Sequence, residues 1–185
     1  MEEIERQAEA VLERVPAYVW DGERLPVPVE DIADSCFGLL VRDVDDLSQA
    51  PGAPQLPPGQ SLSGLLLPDL GEIWVNADEA GRWPPRRRFT IGHEIGHWCM
   101  HRNGSEAVFC RSGTVEPEAD PQAGADAAAP SVPSIEQEAQ VFAAALLMPA
   151  RLVRREYARD REFDHLCRRF GSSGAAMGRR LHAVI

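Results

Sequence analysis

The chain has 185 residues, a formal net charge of −10 and 44% hydrophobic residues, which is ordinary for one folded domain. Its negative charge argues against a nonspecific nucleic-acid binder, because such proteins usually meet phosphates with clustered basic residues. The acidic first residues are not followed by an apolar run, so we expect no secretory leader, and the longest apolar run, 141–148, is too short to cross a bilayer. The four cysteines are scattered without a Cys-x-x-Cys pair, so we expect reduced thiols and a cytoplasmic protein.

The first third of the sequence predicts two helices and then a small sheet. Apolar residues at helical spacing predict an amphipathic helix over 2–15, and 27–33 predicts a turn that leads into a second, short helix. Short apolar segments bounded by turn-forming or acidic residues predict three strands, at 37–44, 63–67 and 72–76. Residues 68–71 (Pro-Asp-Leu-Gly) predict a hairpin turn between the last two strands, so we expect the sheet to be mainly antiparallel.

A histidine motif follows the predicted sheet. Trp83-Pro84-Pro85 predicts a helix start, three arginines at 86–88 open the helix, and His93-Glu94-Ile95-Gly96-His97 lies within it. The order His-Glu-x-x-His is typical of a helix that holds zinc. Residues four apart stack on one helix face, about 6 Å apart along the axis, so His93 and His97 can reach one tetrahedral ion. Glu94 flanks that ion, where it can act as a general base towards a bound water.

The second half of the sequence predicts a loop and then several helices. Residues 113–133 are rich in Ala, Pro, Gly and acidic residues, which predicts a mobile acidic loop. Ser134 and Gln137 have the spacing of a capping box, and an Ala-rich helix follows them as far as Met148. Further helices are predicted at 150–158, at 162–170 and after a turn at 171–174. We therefore expect residues 1–150 to form one domain, with 151–185 as a helical extension packed on it.

A catalytic zinc requires a third protein ligand and one open position. His101 lies two helical turns beyond His93, about 12 Å along a straight helix, which is too far to share the ion. We interpret His101 as a helix-end residue, where a cation is favoured by the helix dipole. The helix that begins at Ser134 is then the remaining source of the ligand, and it carries two acidic residues near its start, Glu136 and Glu138.

Two blocks of this sequence resemble the ImmA/IrrE-type zinc metallopeptidases. The first runs from Arg88 to His101, and the second is Glu-Gln-Glu-Ala-Gln-Val-Phe-Ala-Ala-Ala-Leu-Leu-Met-Pro at 136–149. The resemblance implies an α+β, zincin-like fold in which a small sheet packs with the central His-Glu-x-x-His helix and several other helices. It also implies that zinc is the cofactor and that the third ligand is Glu138, with Glu136 as the alternative.

Two positions depart from the family pattern. Gln140 stands where the family usually has Asn, and Gly92 stands where it usually has Ala. Neither change removes a proposed ligand. The Gln140 change puts a hydrogen bond behind the metal ligands in doubt.

The resemblance implies a zinc metalloendopeptidase with Glu94 as its catalytic base. Its substrate would be a helix-turn-helix transcriptional repressor, whose cleavage switches on a stress or mobile-element response. One alternative is a catalytically silent zinc-binding regulator, although structural zinc sites are usually closed and rich in cysteine. Another is a DNA-binding or partner-binding protein, because 163–181 has a helix-turn-helix cadence with arginines in its second helix. Any helical hairpin packed on a core has the same cadence, so direct nucleic-acid binding is not expected.

Overall fold

The structure is a computed structural model that describes residues 1–51, 53, 61–101, 109–112 and 134–185. Of residues 109–112 and 134, only the backbone is described. The acidic loop predicted at 113–133 lies outside the described residues. The chain is of the predicted α+β class, and its described residues form a series of helices and a small sheet.

The predicted N-terminal helices are both present. Helix α1 spans Glu2–Arg14 and packs on a later helix, α5 (Ser134–Leu147). Helix α2 spans Val29–Phe37 and ends at Gly38, whose φ of 65° is the left-handed conformation that closes many helices. Gly38 thus turns the chain directly into the sheet.

The described residues form a sheet of four strands, one more than predicted: β1 (Leu40–Val44), β2 (Ser61–Leu67), β3 (Glu72–Asn76) and β4 (Phe109–Ser112). Their order is β1-β3-β2-β4. Strand β2 is antiparallel to β3, as the predicted hairpin requires, and it is also antiparallel to β4, whereas β1 is parallel to β3. A parallel neighbour needs a long connection, and here residues 45–71, which include β2, lie between the two strands in the chain.

The central helix, α4 (Pro84–Met100), begins at a proline as predicted. It is preceded by a short helix that the sequence analysis did not predict, α3 (Ala77–Arg82), whose N-terminal Asn76 side chain accepts from the Glu79 N–H at 3.1 Å. Helices α4 and α5 approach closely at the glycines of α4. A Cβ added at Gly96 would lie 3.2 Å from the Cα of Ala139, which is tighter than ordinary contact. This close approach explains why the central helix carries glycine at that position.

Three helices complete the chain: α6 (Ala150–Arg159), α7 (Phe163–Phe170) and α8 (Gly174–Val184). Their apolar residues join the same buried cluster as those of the central helix, including Ile91, Ile95, Leu152, Phe170 and Met177. Among the described residues, no helix is long and apolar enough to span a membrane.

Candidate metal centre

The two motif histidines face each other on buried turns of α4. His93 and His97 are each 1% exposed. Their Nε2 atoms lie 2.9 Å apart, and their rings meet edge to face with centroids 4.6 Å apart. Neutral imidazole nitrogens so placed offer two lone pairs to one point, as a shared metal ion requires.

A carboxylate from α5 completes the group, and it belongs to Glu136. Its Oε2 lies 3.2 Å from Nε2 of His93 and its Oε1 lies 3.3 Å from Nε2 of His97. Ligand atoms of His93, His97 and Glu136 all lie within 4.8 Å of one another. Helices α4 and α5, which pack against each other, therefore position this group.

Glu138, expected as the third ligand, lies beside a different histidine from the two of the motif. Its Oε2 is 2.9 Å from Nε2 of His101 and it is not part of the group of three. Residues two apart in a helix are separated by about 200° around its axis, so their side chains lie on nearly opposite sides. Glu136 and Glu138 therefore cannot both reach the same ion. His101 ends α4 as expected, and it also contacts His97, with their Nδ1 atoms 3.1 Å apart.

The chemistry of this donor set fits zinc. Two imidazoles and one carboxylate make up a common catalytic zinc site, which keeps a fourth position open. Burial lowers the pKa of His97 and so favours the neutral, ligating form. Burial alone would raise the pKa of Glu136, but hydrogen bonds to His93 and His97 outweigh it and hold that pKa at about 2. Both groups are therefore in the state that binds a cation at neutral pH.

Glu94 lies beside this group as an isolated buried acid. It is 0% exposed, and neither carboxylate oxygen has a hydrogen-bond partner among the described residues. Burial raises its pKa well above the ordinary value, and the nearby charge of Glu136 raises it further. The nearby backbone of Leu66 lowers the pKa of Glu94 in part, although it lies too far from ideal geometry to count as a hydrogen-bond partner. A buried carboxyl group without a partner is costly for folding, so this position is better explained by chemistry than by stability.

A glycine in the sheet, which the sequence analysis did not single out, makes room for Glu94. A Cβ added at Gly64 in β2 would lie 2.2 Å from Cγ2 of Thr90 and 3.4 Å from Oε1 of Glu94. The pairing of β2 with β4 shifts register between Leu62 and Gly64, as in a β-bulge. Glycine inside an apolar strand is a signal of close backbone approach, and it could have marked this position from the sequence.

The three arginines that open α4 contact other parts of the chain. Arg86 pairs with the buried Glu79 at 2.9 Å, and Arg87 pairs with Glu30 at 2.6 Å. Arg88 donates to the carbonyl oxygen of Val27 at 2.6 Å. These side chains tie α4 to the elements that precede it.

Arginines of the C-terminal helices are likewise engaged within the chain. Arg169 pairs with the buried Glu156 at 3.3 Å, and Arg168 pairs with Glu162 at 3.3 Å. Arg180, 3% exposed, bonds to Glu5 of α1 and donates to the carbonyl oxygen of Met148 at 2.8 Å. These contacts show that the arginines of α7 and α8 help to pack the two helices within the chain.

The comparisons with known proteins agree with this fold. Residues 68–182 match the model of a peptidase family, M78, described as the IrrE N-terminal-like domain. The chain belongs to this family, and the match includes both α4 and α5.

Among solved structures, the chain is similar to one described as a Mycobacterium tuberculosis transcriptional regulator, with 19% sequence identity and a TM-score of 0.54. That likeness covers 98% of this chain but 46% of the other, so the chain spans less than half the length of that protein. At this identity the likeness concerns the fold alone. No curated protein matches the sequence.

Proposed function

We propose that this chain is a zinc-dependent endopeptidase in which His93, His97 and Glu136 hold the metal and Glu94 is the general base. The observation that carries the proposal is the convergence of three ligand atoms within 4.8 Å beside a buried carboxyl group that has no described partner. Membership in a peptidase family supports peptide hydrolysis as the reaction.

The zinc and Glu94 have separate tasks in this mechanism. His93, His97 and Glu136 would hold a zinc ion, which would supply a Lewis acid able to lower the pKa of water to about 7 and to polarise a carbonyl group. Glu94 follows His93 on α4, so its carboxylate flanks the metal ligands. It takes a proton from the attacking water and delivers that proton to the leaving amine.

The surroundings of Glu94 suit this double use. Burial raises its pKa well above the ordinary value of a glutamate, which is the direction that helps a carboxyl group to give a proton back as well as to take one up. Because Gly64 has no side chain, the space next to Oε1 of Glu94 stays free of side-chain atoms from that position. The carboxylate can therefore meet a water or a leaving amine without displacing the sheet.

We further propose that the substrate is a helix-turn-helix transcriptional repressor and that its cleavage switches on a stress or mobile-element response. The support is the family resemblance of the two sequence blocks. A role in transcription also agrees with the description of the similar mycobacterial protein as a transcriptional regulator. Such a substrate requires the enzyme to act in the cytoplasm.

The test is to incubate the purified, zinc-loaded protein with the transcription regulator encoded beside its gene. We expect cleavage fragments from the wild type, and none after a chelator is added. Glu94→Gln should bind zinc at the wild-type ratio yet cut nothing, because an amide cannot take up the proton. Glu9→Gln, the same chemical change on the exposed face of α1, serves as the control and should cut normally.

Normal cleavage by Glu94→Gln would refute the assignment of the base. Zinc bound by the wild type with no cleavage of this regulator would favour the silent zinc-binding alternative.

A further inference from the structure

A line of hydrogen bonds leads away from the metal centre towards the surface. Nδ1 of His97 lies 3.1 Å from Nδ1 of His101, and Nε2 of His101 lies 2.9 Å from Oε2 of Glu138. The side chains become more exposed in that order, from 0% for His97 to 12% for His101 and 44% for Glu138. The line therefore connects a buried metal ligand to a solvated carboxylate.

One arrangement of protons satisfies every contact in this line when Nε2 of His97 binds a metal. A neutral imidazole that offers its Nε2 lone pair carries its proton on Nδ1. That Nδ1–H of His97 donates to Nδ1 of His101, which places the proton of His101 on Nε2. The Nε2–H of His101 then donates to the Glu138 carboxylate, so each contact has one donor and one acceptor.

The backbone fixes the positions of His101 and Glu138, the two residues of this line that lie nearer the surface. His101 directly follows the last residue of α4 and caps the helix, and its N–H donates to the carbonyl oxygen of His97 at 2.8 Å. Glu138 lies on α5, two residues beyond Glu136, so one helix provides both a ligand atom and the end of the line. The close approach of Gly96 to Ala139 sets the separation of the two helices at this level.

We propose that His101 and Glu138 are positioning residues that orient His97 and strengthen its bond to zinc. Such partners fix the ring and make the metal-binding nitrogen more basic, and their loss typically weakens metal binding about 10- to 100-fold. His93 has no hydrogen-bond partner for its Nδ1 among the described residues. Of the two ligand histidines there, His97 is thus the one whose Nδ1 is held by a neighbouring side chain. This inference rests on the proposed zinc site.

The test is the zinc dissociation constant of the full chain, measured by competition with a chromogenic chelator. His101→Ala and Glu138→Gln should each bind zinc about 10- to 100-fold more weakly than the wild type. The double variant should bind no more weakly than His101→Ala alone, because both residues act through one line of contacts. Glu9→Gln is the matched control for the carboxylate change and should bind like the wild type.

A second measurement covers the case in which His101→Ala does not fold. Long-range 1H–15N spectra of the zinc-loaded wild type, labelled at histidine, should show His97 protonated on Nδ1 and His101 on Nε2. A purely structural role would lower the melting temperature of the metal-free variants without changing either the zinc affinity or these protonation sites.

Zinc affinities of the folded variants within about twofold of the wild type would overturn the proposal, given the 10-fold minimum expected. A His101 proton found on Nδ1 would overturn it as well. Failure of the zinc site itself is distinguishable, since the wild type would then bind no zinc or Glu136→Gln would bind it unchanged. Either result would remove the ground on which the positioning role stands.

Discussion

Gly64→Ala tests the contact that brings β2 against the central helix. The added Cβ would lie 2.2 Å from Cγ2 of Thr90, more than 1 Å closer than the roughly 3.5–4.0 Å of a normal carbon–carbon contact. Thr90 is 4% exposed, so its methyl group cannot turn out into solvent. The backbone oxygen of Trp74, in the neighbouring strand β3, already lies 3.3 Å from the same point, so β2 has little freedom to move and relieve the overlap.

The expected cost of Gly64→Ala follows from that overlap. Forcing an extra methyl group into a well-packed core typically costs about 1–3 kcal/mol, and this site belongs at the upper end because its nearest neighbours are buried. For a chain of this size, 1 kcal/mol corresponds to about 2–4 °C in melting temperature. We therefore expect the melting temperature of the metal-free protein to fall by about 6–12 °C.

Thermal and denaturant unfolding of matched variants provide the assay. Gly81→Ala is the control: Gly81 is exposed in α3 and an added Cβ meets nothing within 4 Å, so this change should stabilise by up to about 1 kcal/mol. Thr90→Ser removes Cγ2, and combining it with Gly64→Ala should cost less than the sum of the two single changes. Wild-type stability of Gly64→Ala, or strict additivity with Thr90→Ser, would refute the packing argument.

Two further predictions concern metal removal and a buried ion pair. When free zinc stands at 100 times its dissociation constant, binding contributes about 2.7 kcal/mol to stability, so a chelator should lower the melting temperature of the zinc-loaded protein by about 5–11 °C. Calorimetry with and without the chelator measures this shift. An unchanged transition would count against metal binding by the native state. Glu5→Ala should cost on the order of 3 kcal/mol in denaturant unfolding, because it leaves the buried Arg180 without its carboxylate. Glu9→Ala, exposed on the same helix, should cost within about 0.5 kcal/mol, and equal losses for the two variants would contradict the role of the pair.

The positions of His93, Glu94 and His97 were predictable from the sequence because their spacing matches one turn of a single helix. No tertiary information is needed to place two such histidines on one face. The choice between Glu136 and Glu138 was different, because it depends on how α5 is rotated against α4. That rotation is set by contacts between helices, such as that of Gly96 with Ala139, so the sequence could offer Glu138 and Glu136 as candidates without deciding which one lies beside the two histidines.

The sheet shows the same division between local and tertiary information. Strands β2 and β3 were predictable because apolar segments flank a clear turn at 68–71. Strand β4 has four residues and little apolar pattern of its own, so its conformation depends on pairing with β2. Gly64 could be read as a site of close approach, but its neighbour across the interface, Thr90, is known only once α4 is packed on the sheet.

The most direct test of this account is a crystal structure of the zinc-loaded protein with anomalous scattering measured at the zinc edge. We expect one ion bonded to Nε2 of His93, Nε2 of His97 and a carboxylate oxygen of Glu136 at about 2.0–2.2 Å, with Glu138 still bonded to His101. An ion held by Glu138 with Glu136 turned away, or paired histidines that bind no ion in excess zinc, would contradict it.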